Sequence, residues 1–401
     1  MKRWLLVVAN VVLCLALVAG VACGGGGGDG EEDGVKEVKL GVAVPLGGIY
    51  GKFIGIPSKQ GFEVAADYIG EFTVDGQRYK WNLIFEDSGI DSAGGMASAT
   101  KLIFEDGVKL MSQVYGTPAL AAQTTCEESD VILLTTGIPL DALGPDKPHT
   151  FLGMTCGEVS SATLMKYISE ERPEVKTAAA ISEDTTTGQV LAETLGTAAE
   201  HFGIEWIGTE WFDPAATEFY PVATKMADKD PDLCYAESRQ IGPMREMGWE
   251  GTSFYGVWYP YFGESAGWGN IEGHLSYYPE PLGEELPELA KEIAAEYQQR
   301  YGEQLAMLPF TFIIQLYYLT DALQKAGTVD DVDQIIAALE SENLDTPVGM
   351  VKFGLEELDG IGHMVVMPSW IGEIRGINEY HQVFYLSTDE AETLTLEVFG
   401  Q

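Results

Sequence analysis

Residues 85–121 read FEDSGIDSAGGMASATKLIFEDGVKLMSQVYGTPALA. A strand ends in Glu86-Asp87, a helix covers SAGGMASATKLIF, a short strand VKLMSQV follows, and PALAAQTTCEE continues as a second helix. Short β-rich runs alternating with helices of this length specify a parallel sheet covered on both faces. The pattern extends outward. Upstream, EVKLGVAVPL is a strand, and SKQGFEVAADYIG is a helix with Phe62, Ala65, Ala66 and Ile69 on one face. YKWNLIFED supplies the next strand, and downstream VILLTT closes the set.

A second set begins near Phe151. SSATLMKYISEE is helical, KTAAAIS a strand, GQVLAETLGTAAEHF a helix and IEWIGTEWF a strand; TEFYPVATKMAD, DLCYAES, GPMREMG and TSFYGVW continue the series. Two successive α/β sets imply two similar lobes. After Pro281 the texture turns helical, with LPELAKEIAAEYQQRYG, PFTFIIQLYYLTDALQKAG and DVDQIIAALES. GMVKFGLEELDG, HMVVMPSWIGEI and YHQVFYLS then read as β-hairpins.

The start of the chain points to export. Met1-Lys2-Arg3 is basic, Trp4 to Val18 is apolar apart from Asn10, and small residues lead to Cys23 and a glycine run. That is the layout of a secretory signal, and the apolar run is shorter than a spanning helix needs. A Cys after small residues resembles the lipobox of bacterial lipoproteins, although Gly20 stands where that family usually has Leu. The resemblance implies a diacylglyceryl group on Cys23, with Gly24–Gly34 as a flexible tether.

With 62 acidic against 23 basic residues the net charge is −39, which excludes nucleic acid and anionic membrane surfaces as partners. Cys126, Cys156 and Cys234 remain once Cys14 and Cys23 are set aside, and no CxxC or Cys/His pair has metal spacing. In an exported protein one disulfide among them is possible, but three thiols cannot all pair internally, so at least one is expected to be buried and unreactive. His149, His201, His274, His363 and His381 are scattered, with none at i, i+4. No metal or cofactor site is readable.

The order of pieces resembles the extracytoplasmic solute-binding proteins of ABC importers, of the leucine/isoleucine/valine-binding type. VKLGVAVPLGGIYG is similar to that family's opening strand and turn, and residues 85–121 to its acidic strand end, helix and ligand loop. TGQVLAETL, EFYPVATKMADKDPDLCYA, YGEQLAM and TPVGMVKF follow in family order. The resemblance implies an α/β fold of two lobes, each a parallel-sheet sandwich, joined by three crossovers. These are expected near 151–155, 273–277 and 346–350. The expected partition is 1–22 signal, 23–36 lipidated Cys and tether, 37–152 with 278–347 the first lobe, and 153–277 with 348–401 the second. The helices from Glu284 to Ser341 then belong to the first lobe.

The resemblance also implies a site. Tyr115, Gly116 and Thr117 lie in the loop that holds a ligand carboxylate in the family's amino-acid binders, with Thr117 supplying the hydroxyl. Gly137, Ile138 and Pro139 replace a second loop that normally offers another hydroxyl, and Pro139 also lacks an N–H. Trp258 stands where the family has the Glu that anchors an amine. Either the ligand lacks an ammonium group, or acids such as Glu237 or Glu264 take its place. Arg239 falls near a ligand-facing Tyr and suits a carboxylate bidentately, or else forms a surface salt bridge. Phe53, Tyr115, Trp258 and Tyr259 make an aromatic acid conceivable. Thr187 matches a cleft Tyr, with a helix N-cap as its alternative.

The implied role is the substrate-binding component of an ABC importer. It is a lipid-anchored monomer on the extracytoplasmic face, taking an amino acid or another carboxylate-bearing solute and meeting permease subunits. A sensing receptor of the same fold is the alternative. No spanning helix follows the lobes, which favours delivery.

One stretch argues for an enzyme. GESAG, residues 263–267, has the form of a nucleophile elbow around Ser265. An elbow needs a buried strand before the Ser and a helix after it. Pro260 interrupts the preceding run, WGNIEG follows, and no HGGG-like loop lies upstream. A loop at the cleft rim is expected instead. LGGIYGK likewise fails as a phosphate loop, since Leu46 occupies the first Gly position and Phe53 follows Lys52. No catalysis is expected.

Overall fold

In a computed structural model the described residues are 34–256, 261–277, 286–341, 343–377 and 379–400. The chain divides into Met1–Lys36 and a body, Glu37–Gln401. The strands are β1 (Val35–Val44), β2 (Glu71–Val74), β3 (Gln77–Asp87), β4 (Leu110–Gln113), β5 (Ile132–Thr135), β6 (Thr150–Leu152), β7 (Thr177–Glu183) and β8 (Glu205–Phe212). They continue as β9 (Leu233–Tyr235), β10 (Thr252–Tyr255), β11 (Leu275–Ser276), β12 (Leu344–Thr346), β13 (Gly349–Gly354), β14 (Met364–Val366), β15 (Ser369–Gly376) and β16 (Glu379–Leu386).

They form two sheets. The nine-stranded sheet runs β12-β13-β14-β6-β5-β4-β1-β3-β2, and the seven-stranded sheet β16-β15-β11-β10-β9-β7-β8. Their centres are parallel: β1 with β4, β4 with β5, β5 with β6, and β7 with β8 and β9. The antiparallel hairpins lie at the edges. The central strands β4 and β5 are buried throughout, as strands covered on both faces must be. This is the two-sheet α/β fold that the alternation of elements predicts.

Local chemistry sets the helix starts. Asp91 Oδ1 accepts from the Gly94 N–H at 2.8 Å and caps the helix Ser92–Phe104. Thr185 Oγ1 accepts from the Gly188 N–H at 3.1 Å and caps Thr186–His201. Helix Met307–Ala326 packs into the first core with its faces buried nearly all round. It lies so close to helix Ile56–Ile69 that a Cβ on Gly61 would sit 2.3 Å from the Pro309 carbonyl oxygen.

The passages between sheets differ in part from expectation. The first runs between β6 and the helix Gly157–Glu171. It is clamped at Gly153, whose carbonyl oxygen accepts from the Tyr318 hydroxyl at 3.1 Å. Leu275 and Ser276 still pair within the second sheet, so no crossing occurs by residue 276. The third passage is not at 346–350. There the chain turns at Gly349, φ +108°, and β13 pairs back on β12 before β14 joins β6. The turn is closed by Thr346 Oγ1 donating to the Gly349 carbonyl at 2.6 Å. Residues 349–354 and 364–366 therefore belong to the first sheet, and the chain reaches the second only at β15.

Candidate functional site

Parallel strands in open α/β sheets present their ligand sites beyond the carboxyl ends. In the first sheet those ends are the loops after β1, β4 and β5. The β1 loop is a tight fold: a Cβ on Gly55 would lie 1.7 Å from the Pro45 carbonyl oxygen, and one on Gly51 would lie 2.5 Å from the Leu46 carbonyl. Asp87 Oδ1 accepts from both the Leu46 and the Gly89 N–H at 3.0 Å, which ties this loop to the end of β3. The loops after β4 and β5 are joined as closely. Thr136 Oγ1 donates to the Val114 carbonyl at 2.9 Å, and a Cβ on Gly116 would sit 2.4 Å from the Gly137 oxygen. Glycine is required at both 116 and 55 by close approach.

These loops deliver two phenols. Tyr50 and Tyr115 meet edge to face with ring centroids 5.6 Å apart. Burial raises both phenol pKa values, and the charge of Glu183 on the second sheet raises them further.

On the second sheet, β7 and β9 run side by side with Ala180 opposite Tyr235, so Glu183 and Glu237 leave adjacent strand ends. Glu237 is the N-cap of helix Ser238–Glu246 in a reciprocal capping box with Gln240. Its Oε2 also accepts from Arg239 Nε at 3.2 Å and Nη2 at 2.5 Å. The Arg239 guanidinium lies 4.3 Å over the Phe219 ring. Among the described residues Glu183 makes no salt bridge. Burial pushes its carboxyl pKa up, Glu237 adds to the rise, and Arg239 opposes it.

The other expected site residues fall as follows. Thr117 and Gly137 are exposed at the loop ends, and Gly116 is half-buried. Ile138 is buried at 7 % exposure in a core with Cys156 and Val159, because Gly137, at φ +64°, turns the chain there. Only its backbone is left for a ligand, which corrects the expectation of a pocket side chain. Phe53 is half-buried with Lys52 Nζ 4.9 Å above its ring. Thr187 is exposed, and the cap of its helix is Thr185, not Thr187. Trp258 and Cys23 lie outside the described residues. Tyr50 and Glu183 were not singled out from the sequence; Glu183 ends the buried strand β7, which was the available signal, whereas Tyr50 lies in the loop after β1.

The esterase alternative has no geometry behind it. Ser265 is an exposed residue inside the short helix Tyr261–Ala266, where a loop was expected, and not at a strand-to-helix turn. His274 bonds Ser253 at 2.8 Å, and His363 contacts Glu340 at 3.0 Å. Cys126, Cys156 and Cys234 are buried free thiols, with that of Cys126 pushed up to about 12 by burial.

A family profile described as "periplasmic binding protein" matches residues 37–378, and the chain belongs to that family. It is a family of solute-binding proteins, not enzymes. Solved structures share the fold at low identity. A periplasmic binding protein from Burkholderia mallei is 15 % identical, covering 89 % of this chain and 96 % of its own at a TM-score of 0.74. A leucine-binding protein from Thermotoga maritima is 17 % identical, covering 88 % and 99 % at 0.71. An ABC-transporter solute-binding protein from Rhodopseudomonas palustris HaA2, in complex with p-hydroxybenzoic acid, is 16 % identical, covering 88 % and 98 % at 0.74. No curated protein matches the sequence.

Proposed function

We propose that the chain captures a small organic solute, an amino acid or another carboxylate-bearing compound, between its two lobes and presents it to the permease of an ABC importer. The observation that carries this reading is the two-sheet α/β fold with polar strand-end loops on both sheets, Tyr50 and Tyr115 at one and Glu183 at the other, in a chain of the periplasmic binding family. Thr117 and the first N–H groups of helix Gly116–Glu128 suit a carboxylate. Ligand contacts to both lobes favour the closed state, since only differential affinity shifts such an equilibrium. On this reading residues 1–22 are a signal and Cys23 a lipid anchor. The protein then works as a monomer at the outer face of a membrane.

The test is a melting panel on residues 35–401 against aliphatic amino acids, aromatic carboxylates, amides and esters. A solute at 100 times its Kd stabilises the fold by about 2.7 kcal/mol. A rise with one chemical class and not with its neighbours supports capture. Ester consumption, abolished by Ser265→Ala, would return the protein to the enzymes. Mass analysis of the membrane-bound protein tests the diacylglyceryl group on Cys23.

A further inference from the structure

We propose that a small methionine-lined void, between two of the passages that join the sheets, is the pivot of lobe movement. The buried hydroxyl of Thr155 beside it keeps the arrangement seen here in balance with a second one. The proposal rests on the solute-capture reading and names where its open–closed equilibrium is set.

Both passages run over one stretch of one helix. Gly153 is fixed to the first sheet and its helix: its N–H donates to the Thr135 carbonyl at 2.9 Å, and its carbonyl accepts from the Tyr318 hydroxyl at 3.1 Å. Helix Gly157–Glu171, which packs against β15 of the second sheet, follows at once, so residues 154–156 absorb any rotation between the lobes. The last passage is as short, with Met367 and Pro368 between β14 and β15. Proline fixes its own φ and holds the residue before it extended, so this passage is the stiffer of the two. Met154, Thr155 and Met367 meet Met307, Phe310 and Ile314, from the opening turns of helix Met307–Ala326, around a cavity of about 10 Å³. That is room for one water-sized group.

Two features mark this spot as bistable and not as ordinary core. Three of the side chains around the void are methionines, unbranched and able to repack without strain. Thr155 is 3 % exposed, and among the described residues its Oγ1 has no hydrogen-bond partner. A buried hydroxyl left in that state is costly, so an arrangement in which residues 154–156 swing Thr155 to a partner competes with this one. Gly153 pulls the other way. A Cβ there would lie 2.6 Å from Gln315 Nε2 and 2.8 Å from the Tyr318 hydroxyl oxygen, so glycine lets the passage seat against the helix as it does here. The void supplies slack, the clamp on Gly153 favours this arrangement, and the Thr155 hydroxyl opposes it. Solute affinity follows the balance without any contact between these residues and the solute, because only the competent fraction of the protein binds tightly.

Small-angle X-ray scattering of the ligand-free protein reads the balance, set against the curve calculated for this structure. Thr155→Val keeps the shape of the side chain and removes the hydroxyl, so it raises the ratio of this arrangement to the other about tenfold. Gly153→Ala lowers that ratio several-fold, since the crowding atoms are the ends of side chains that yield by giving up the clamp. Ser161→Ala is the control. It removes another buried hydroxyl with no partner among the described residues, inside helix Gly157–Glu171, and leaves the curve unchanged. The proposal holds if at least one of the two hinge variants moves the curve in its assigned sense and neither moves it against that sense. It falls if neither moves the curve, if either moves it the wrong way, or if Ser161→Ala moves it as far. Should Gly153→Ala fail to fold, Thr155→Val decides alone. These curves are taken without solute, so a broad metabolite library that yields no binder removes the capture reading, while the hinge is judged by its own curves.

Discussion

Lowering the pH should destabilise the second lobe through one side chain. His274 is 1 % exposed, just before β11, with Nδ1 2.8 Å from Ser253 Oγ and its ring 4.6 Å from Phe262. Among the described residues its Nε2 is buried without a hydrogen-bond partner. Burial, with the Arg245 guanidinium adding to it, lowers the imidazole pKa from 6.5 to about 3. The unfolded chain therefore binds a proton near 6.5 that the folded chain refuses until about 3. Between those values the unfolded state holds more protons, so stability is complete above 6.5 and falls with pH below it. Each pH unit is worth about 1.4 kcal/mol. From pH 6.5 to 4.5 this single ring should remove about 2 to 3 kcal/mol. Urea unfolding of the unmodified protein and of His274→Asn, at half-unit steps over that range, isolates the effect because every other group titrates in both. The unmodified protein should lose about 2 to 3 kcal/mol more than the variant, whatever the variant's own deficit at pH 7. Two curves that stay parallel within about 0.5 kcal/mol would refute the assignment of a neutral buried ring.

Two other perturbations test the loop geometry and the surface. Gly55→Ala places a Cβ against the Pro45 carbonyl oxygen and should cost about 1–3 kcal/mol or more, with a lower melting temperature and weaker solute binding. Gly47→Ala is its control: a Cβ there meets nothing within 4 Å, so a change within about 0.5 kcal/mol is expected, and equal losses in the two would refute the close approach. A net charge of −39 repels itself in dilute buffer, so the melting temperature should rise by several degrees between 0.05 and about 1 M NaCl as the charges are screened. A flat or falling curve would mean that the acids are already balanced by their local partners.

The alternation of strand and helix was legible because each element buries apolar side chains with its own period. Where a hairpin attaches was not. GMVKFG and HMVV read as strands, but an antiparallel pair can extend either sheet, and nothing local says which. The choice is made at long range: the Leu152 N–H donates to the His363 carbonyl at 2.8 Å and fastens β14 beside β6. That one bond joins the first crossover to the β13–β14 hairpin, more than 200 residues later in the sequence. Ile138 shows the same limit at a single residue. A loop position matched by family order carries no information about which way its side chain turns, and the positive φ of Gly137 decides it.

Glu183 is a further case of a setting that its neighbours in sequence cannot announce. In ISEDTTTGQ it looks like any acid at the mouth of a helix, where a carboxylate is commonly a cap. Thr185 takes that duty, so Glu183 has no local task. Arg239 might have neutralised it, yet the guanidinium is committed to Glu237 by two hydrogen bonds and to Phe219 by stacking. Glu183 is therefore half-buried at the end of β7 with no salt bridge among the described residues, and that state depends on residues distant in sequence, Arg239, Glu237 and Phe219, having committed themselves to one another.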